Sequence, residues 1–213
     1  MSPLSVTRGM SDGFETVLVD TGGLSLCLVP ELGGKITSLR DLHSGREWLW
    51  RNLRMPYQVA EPNTSYVAVA DTGGWDECFP TVAPCDYPTA PWAGAALPDH
   101  GELWSQRPAL DMNVGADTVS LNTRWQGAAL PYRFERQVRA TAGSASLRVD
   151  YTIANMAMRR CNLSGACIRC WPLSRVCSCV CRRRRTSTAG AACPFPAWPT
   201  MACGSRFAWA ATI

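Results

Sequence analysis

Apolar and polar residues alternate with a period of two over several short stretches of this chain. The alternation is most regular from position 147 to 153, where every second residue is apolar. This period places the apolar side chains on one face of a β-strand. Weaker alternation covers 119–125 and 132–138, and shorter β-rich runs cover 16–20, 24–29 and 35–39. No convincing helix of about ten residues is found, so the pattern predicts an all-β, antiparallel sandwich or barrel.

The segment 54–108 lacks this alternation and is rich in Pro, Gly and Trp. Long loops in compact domains usually carry function. Two clusters in it combine aromatic residues with carboxylates, GGWDECFPT at 73–81 and PDHGELWS at 98–105, and the second adds a histidine. Sugars require such groups, since their CH faces contact aromatic rings and their hydroxyls pair with polar side chains. Imidazole and carboxyl groups can also transfer protons.

Five residues of these clusters are candidate sugar ligands: His100, Glu77, Glu102, Trp75 and Trp104. Asp76 and Glu77 are adjacent and point to opposite sides of an extended chain. We favour Glu77 as the ligand because its neighbour can cap a local turn. Glu102 shares a face with His100 if the segment is extended. The alternatives stay open: both tryptophans could be core residues, and a lone loop histidine often serves only local hydrogen bonding.

Charge divides the chain into two parts with opposite net charge. All 17 acidic residues lie at or before Asp150, whereas the last 58 residues contain nine Arg and eight of the 11 Cys. The overall charge of +4 therefore describes neither part. We expect a domain over 1–155 and a tail over 156–213 that has no fold of its own and is irregular or disordered.

Four segments within residues 14–155 resemble the aldose 1-epimerase (galactose mutarotase) family. They are, in order, LVPELGGKITSLRDLHSGREWLW, GGWDECFPTVAP, PDHGELWSQ and PYRFERQVRATAGSASLRVDYTIAN. The resemblance implies an antiparallel galactose mutarotase-like β-sandwich, or supersandwich, that is truncated here. It also implies a small sugar as substrate and no metal or organic cofactor.

The resemblance further implies a reaction in which a carboxylate and a histidine interconvert sugar anomers through ring opening. His100 matches the earlier of the family's two pocket histidines, which binds the sugar and assists. The later histidine, which is the main acid, and the glutamate base near the family's C-terminus have no match here. No catalytic residue is therefore assigned. We expect this chain to be inactive or impaired, and the alternative function is non-catalytic carbohydrate binding.

The tail on its own suggests two other functions. Cys167 and Cys170 form a C-x-x-C pair of the kind that binds zinc, and Arg182 begins a run of four arginines that could bind nucleic acid. The tail has no histidine and no second well-spaced C-x-x-C pair. Aromatic residues are not interleaved with the arginines, as a nucleic-acid platform would require. We therefore predict neither a metal site nor nucleic-acid binding.

A frameshift explains the tail's composition better, because GC-rich DNA read in a wrong frame yields Arg- and Cys-rich protein without acids. If the coding DNA is read one base earlier, the last base of the Met156 codon and the first two bases of the Ala157 codon can only encode Gly. With permitted codons elsewhere, the stretch after Asn155 can be read as HGDAPLQFIWGMHPLLAVEPGMQLRLPP. This line contains the G-x-H-P tract that carries the family's acid histidine, at the junction of Cys167 and Ile168.

Two features of the sequence concern the location of the protein. No window of about 18 consecutive apolar residues is present, so we expect no membrane span. No basic stretch followed by an apolar segment opens the chain, so we expect a cytoplasmic protein. The sequence leaves the particular sugar and the oligomeric state open.

Overall fold

The structure, a computed structural model, describes residues 4–157 and the backbone of two later strands, Ala166–Arg169 and Arg206–Thr212. The described residues form two larger antiparallel sheets and one small hairpin sheet. The predicted all-β antiparallel class is therefore confirmed. The division at residue 155 stays a prediction. Most of the predicted irregular tail lies outside the described residues.

The first sheet is built mainly from the N-terminal third of the chain. Its described strands lie in the order β1-β2-β3-β4-β5-β12. The strands are β1 (Ser5–Ser11), β2 (Phe14–Asp20), β3 (Leu24–Val29), β4 (Lys35–Asp41), β5 (Trp75–Cys78) and β12 (Ala166–Arg169). Neighbouring strands from β1 to β4 are joined by short turns, as the glycines between the β-rich runs predict.

The second sheet is built from the three strongest alternating stretches and two neighbours. Its described strands lie in the order β13-β11-β10-β9-β8. The strands are β8 (Ala109–Val114), β9 (Thr118–Gln126), β10 (Tyr132–Thr141), β11 (Leu147–Asn155) and β13 (Arg206–Thr212). In β9 and β10 every second residue is buried, because one face of each strand packs on the core while the other faces solvent.

The two sheets enclose one hydrophobic core. Buried apolar residues of both sheets belong to a single cluster, which includes Leu26 and Leu28 of β3 together with Phe134 of β10 and Tyr151 of β11. Burial of this apolar surface is the main stabilising term of such a sandwich. The core therefore fixes the distance between β5 in one sheet and β10 and β11 in the other.

The segment between β4 and β8 contains only short elements within an irregular path. They are helix α1 (Tyr66–Val69), strand β5, the hairpin strands β6 (Cys85–Asp86) and β7 (Ala96–Leu97), and a 3-10 helix (Leu103–Ser105). A second 3-10 helix (Pro30–Leu32) lies between β3 and β4. No helix among the described residues is long and apolar enough to cross a membrane.

Candidate functional site

His100 lies in a tight turn whose backbone is fixed by its neighbours. His100 has φ 59° and Gly101 has φ 73°, both in the left-handed region. A Cβ on Gly101 would lie 2.1 Å from the carbonyl oxygen of Phe79, so only glycine fits there. The His100 N–H donates to the carbonyl of Val82 at 3.1 Å. A non-glycine residue at positive φ costs energy and is often found at functional sites.

The His100 ring packs against an aromatic pair. It stacks on Tyr66 with ring centroids 4.5 Å apart and planes 16° apart. Trp104 meets the same tyrosine edge-on, with centroids 5.3 Å apart. The indole N–H of Trp104 donates to the carbonyl of Asp99 at 3.3 Å. These contacts hold the imidazole in one orientation.

Asp99 and His100 are the partly exposed members of this group. Their side chains are 26% and 23% exposed, whereas Tyr66 and Trp104 are buried. His100 Nδ1 lies 2.9 Å from Asp99 Oδ1. This nitrogen is itself buried and the contact does not meet hydrogen-bond geometry, so the contact is close but imperfectly aligned.

A buried ion pair lies at the hydroxyl group of Tyr66. Lys35 Nζ is 2.5 Å from Asp76 Oδ2 and also donates to the carbonyls of Ala70 and Gly73. The Tyr66 hydroxyl donates to the same carboxylate oxygen at 2.8 Å. Oδ1 of Asp76 has no hydrogen-bond partner among the described residues. Such a pair is tolerated in the interior because each charge has hydrogen-bonding partners.

A small depression of about 10 Å³, room for about one water molecule, borders this ion pair. Its wall includes Lys35, Tyr57, Asp76 and Trp104. Burial raises the pKa of Tyr57 to about 12, against a smaller lowering effect of the nearby Arg51 guanidinium. We call the connected residues the His100 cluster: Lys35, Tyr66, Asp76, Asp99, His100 and Trp104.

Glu77 lies on the opposite side of β5 from Asp76, as strand geometry predicts for neighbours. Its Oε1 accepts hydrogen bonds from Arg136 Nη1 at 3.0 Å and from the Tyr151 hydroxyl at 2.8 Å. Arg136 also donates to the carbonyl of Gly34, and both charged side chains are almost fully buried. We call Glu77, Arg136 and Tyr151 the interior cluster. It joins β5 of the first sheet to β10 and β11 of the second.

Glu102 holds the turn between β9 and β10. Its carboxylate accepts hydrogen bonds from the backbone N–H groups of Ala128 and Ala129 and from the Tyr132 hydroxyl at 2.6 Å. Burial, and then the negative charge of Glu102, raise the pKa of Tyr132 well above its ordinary value. The segment from His100 to Glu102 is a turn rather than an extended strand, so the shared-face argument for these two residues does not apply.

The structure thus brings together two of the five predicted sugar ligands, His100 and Trp104. Trp75 is fully buried in the core between the sheets. Glu77 and Glu102 have the structural partners described above. Sugar contact by any of the five stays a prediction. Among the described residues, no group of three His, Cys, Asp or Glu side chains could hold a metal ion.

Sequence reasoning did not select Tyr66, Lys35 or Asp99. Tyr66 lies in a segment without periodicity, and its contacts with both His100 and Asp76 depend on the fold. Lys35 begins a predicted strand, where a lysine is expected to face solvent. Asp99 could have been noticed, because it directly precedes His100 in the Pro-Asp-His-Gly turn.

Comparison with known proteins supports the fold. No family profile and no curated protein sequence matches the chain. A galactose mutarotase-like protein from Clostridium acetobutylicum superposes with a TM-score of 0.57 over 76% of this chain, at 12% identity. A candidate aldose 1-epimerase from Klebsiella pneumoniae subsp. pneumoniae MGH 78578 superposes with a TM-score of 0.55 over 78% of it, also at 12% identity.

These likenesses define the class of fold. The chain has a galactose mutarotase-like fold, as the resemblance in its sequence implied. It spans about half the length of the two solved structures, 52% of the first and 47% of the second. At this level of identity the comparison concerns the fold, and function has to be argued from the site.

Proposed function

We propose that the chain derives from a cytoplasmic aldose 1-epimerase-like enzyme and that the surface at His100 is part of its sugar-binding site. The observation that carries the proposal is the fixed turn at His100. There a partly exposed imidazole is held by Tyr66 and Asp99 within a mutarotase-like fold. An imidazole and a carboxylate side by side can donate to and accept from neighbouring sugar hydroxyls.

The proposed reaction interconverts the anomers of an aldose. A base removes the proton from the anomeric hydroxyl while an acid protonates the ring oxygen, and the ring then opens and closes on the other face. His100 would bind the sugar and assist. The family's later acid histidine and its glutamate base have no counterpart in this chain, which contains two histidines and no acidic residue after Asp150.

We attribute this loss to a frameshift at the boundary of codons 155 and 156. Inserting one base there gives a translated sequence in which histidine replaces Ile168. Ile168 of β12 is paired in register with Asp76 of β5. The nucleotide sequence of codons 154–157 tests this attribution. The attribution is supported if the sequence as written lacks one base and restoring this base gives a long open frame. It is contradicted if the frame as written is intact.

A second function, non-catalytic carbohydrate binding, is favoured by one specific observation. The described residues contain a fixed histidine, whereas no residue of this sequence matches the family's acid histidine or its glutamate base. A protein that keeps the sugar surface and lacks this pair would bind sugar without converting it.

Anomer exchange of free D-glucose and D-galactose, followed by NMR, tests the proposal on two proteins. One is the chain as written and the other is encoded by the gene with one base inserted after codon 155. We expect acceleration by the second protein and a rate about 10²–10⁴-fold lower for the first, the usual cost of losing an acid–base partner. Sugar binding without exchange in both proteins would favour the second function. If the restored protein neither binds sugar nor accelerates anomer exchange, both proposed functions are contradicted.

A further inference from the structure

Nδ1 of His100 is buried against Asp99, whereas the side chain as a whole is 23% exposed. The exposed fraction therefore belongs to side-chain atoms other than Nδ1. No hydrogen bond is formed by Nε2 among the described residues. The two ring nitrogens thus have different environments, and the position of the proton decides what Nε2 offers to a ligand.

We propose that Asp99 is a positioning residue that holds the proton of neutral His100 on Nδ1, so that Nε2 faces the sugar as a hydrogen-bond acceptor. This inference rests on the proposed function for the identity of the ligand, but the proton position is a property of the protein alone. A carboxylate beside one imidazole nitrogen commonly fixes the tautomer and the orientation of the ring.

Three observations support the assignment to Asp99. Its Oδ1 lies 2.9 Å from Nδ1, within hydrogen-bond distance. Its side chain is about a quarter exposed, so a small rotation can align the carboxylate with the N–H direction. The stacked Tyr66 ring and the left-handed backbone of His100 keep the imidazole from turning away. A ligand would then meet a prepared group, which lowers the entropic cost of binding.

The chemical consequence concerns the class of group that His100 recognises. With the proton on Nδ1, Nε2 can accept a hydrogen bond from a sugar hydroxyl but cannot donate one to a ring oxygen. When the imidazole takes up a second proton, Nε2 becomes a donor and Asp99 compensates the charge. His100 is therefore suited to hold a hydroxyl in its neutral form and to protonate an oxygen only after a proton has been supplied.

Nitrogen-15 NMR of the full chain tests this directly, because the chain has two histidines and His43 lies in an exposed turn. Spectra are recorded over a range of pH, and the tautomer is read from the neutral form of each ring. We expect the proton of His100 on Nδ1, and its transfer to Nε2 in Asp99→Ala. A proton on Nε2 in the unmodified chain, or an unchanged tautomer in Asp99→Ala, would overturn the inference.

Two further measurements separate this inference from its alternatives. Tyr66→Phe removes the hydroxyl bonded to Asp76 but keeps the stacked ring, so we expect the His100 tautomer to be retained. Loss of this tautomer in Tyr66→Phe would show that the Tyr66 hydroxyl, and not Asp99, fixes the proton position. Titration with D-galactose is read separately. We expect Asp99→Ala to raise the dissociation constant about tenfold, roughly 1.4 kcal/mol. A correct tautomer with no response of His100 to sugar would contradict the proposed function alone.

Discussion

Asp76 and Glu77 are neighbours in the chain and both are buried, yet they lie in two different environments. Glu77 belongs to the interior cluster, where Arg136 and Tyr151 bind its carboxylate between the two sheets. Asp76 belongs to the His100 cluster, where Lys35 and Tyr66 bind one carboxylate oxygen and the other oxygen has no partner among the described residues.

Similar carboxylates on the two sides of β5 therefore have different structural surroundings. The interior cluster connects strands of both sheets and has no exposed member. The His100 cluster connects loops to β5 and ends in two partly exposed side chains, Asp99 and His100. We infer that the first stabilises the sandwich, whereas the second is available to a ligand.

Removal of the positive charge from the interior cluster should have the largest effect on stability. Arg136→Met removes the guanidinium that pairs with the buried Glu77 carboxylate, and breaking such a pair costs about 3–5 kcal/mol. The free energy of unfolding, measured with urea, should fall by this amount. Arg148→Met is the matched control on an exposed ion pair with Asp150, where we expect little or no change because solvent screens such pairs. Equal effects of the two substitutions would contradict the role assigned to the interior cluster.

Gly101→Ala should have the next largest effect and should act on the His100 cluster. A Cβ at this position would lie 2.1 Å from the carbonyl oxygen of Phe79 at a positive φ. We expect a loss of about 2–3 kcal/mol together with a change in the NMR signals of His100. Gly13→Ala is the control, because it also has a positive φ but nothing lies within 4 Å of its added Cβ. Its expected cost is about 1 kcal/mol, and an equal cost at both positions would rule out the steric explanation.

Tyr57→Phe should have the smallest effect, and it should appear only at alkaline pH. Burial raises the pKa of Tyr57 to about 12 in the folded protein, whereas an unfolded tyrosine titrates near about 10. The folded state therefore holds this proton more tightly. The resulting stability is present below about pH 10 and is lost as the pH rises toward about 12. Urea midpoints at about pH 9 and 11 should decline less in Tyr57→Phe than in the unmodified chain. Identical declines would show that Tyr57 does not contribute.

The strands could be predicted where one face is buried and the other is exposed to solvent, because apolar and polar residues then alternate. The β-rich run 24–29 coincides with β3 (Leu24–Val29), and the alternating stretch 147–153 lies within β11. Strand β5 was missed because all four of its residues are buried, so no alternation marks it. The edge strand β1 was missed for the opposite reason, since nearly all of it is exposed.

The candidate site was less predictable because its geometry depends on turns and on contacts distant in sequence. His100 stood out through its chemistry and its resemblance to the family motif. The left-handed turn that separates it from Glu102 has no period-two signature. The stacking of Tyr66 on His100 joins residues far apart in the chain, which no local pattern indicates.

The central claim is that the surface at His100 binds a sugar, and the most direct test follows the two histidine rings by NMR during titration with D-galactose and D-glucose. We expect saturable shifts of the His100 signals, absent in His100→Ala, while the His43 signals stay unchanged. We also expect His100→Ala to weaken sugar binding at least tenfold, roughly 1.4 kcal/mol, in a protein that unfolds at the same urea concentration. Unshifted His100 signals at saturating sugar, or equal shifts of both histidines, would contradict the account.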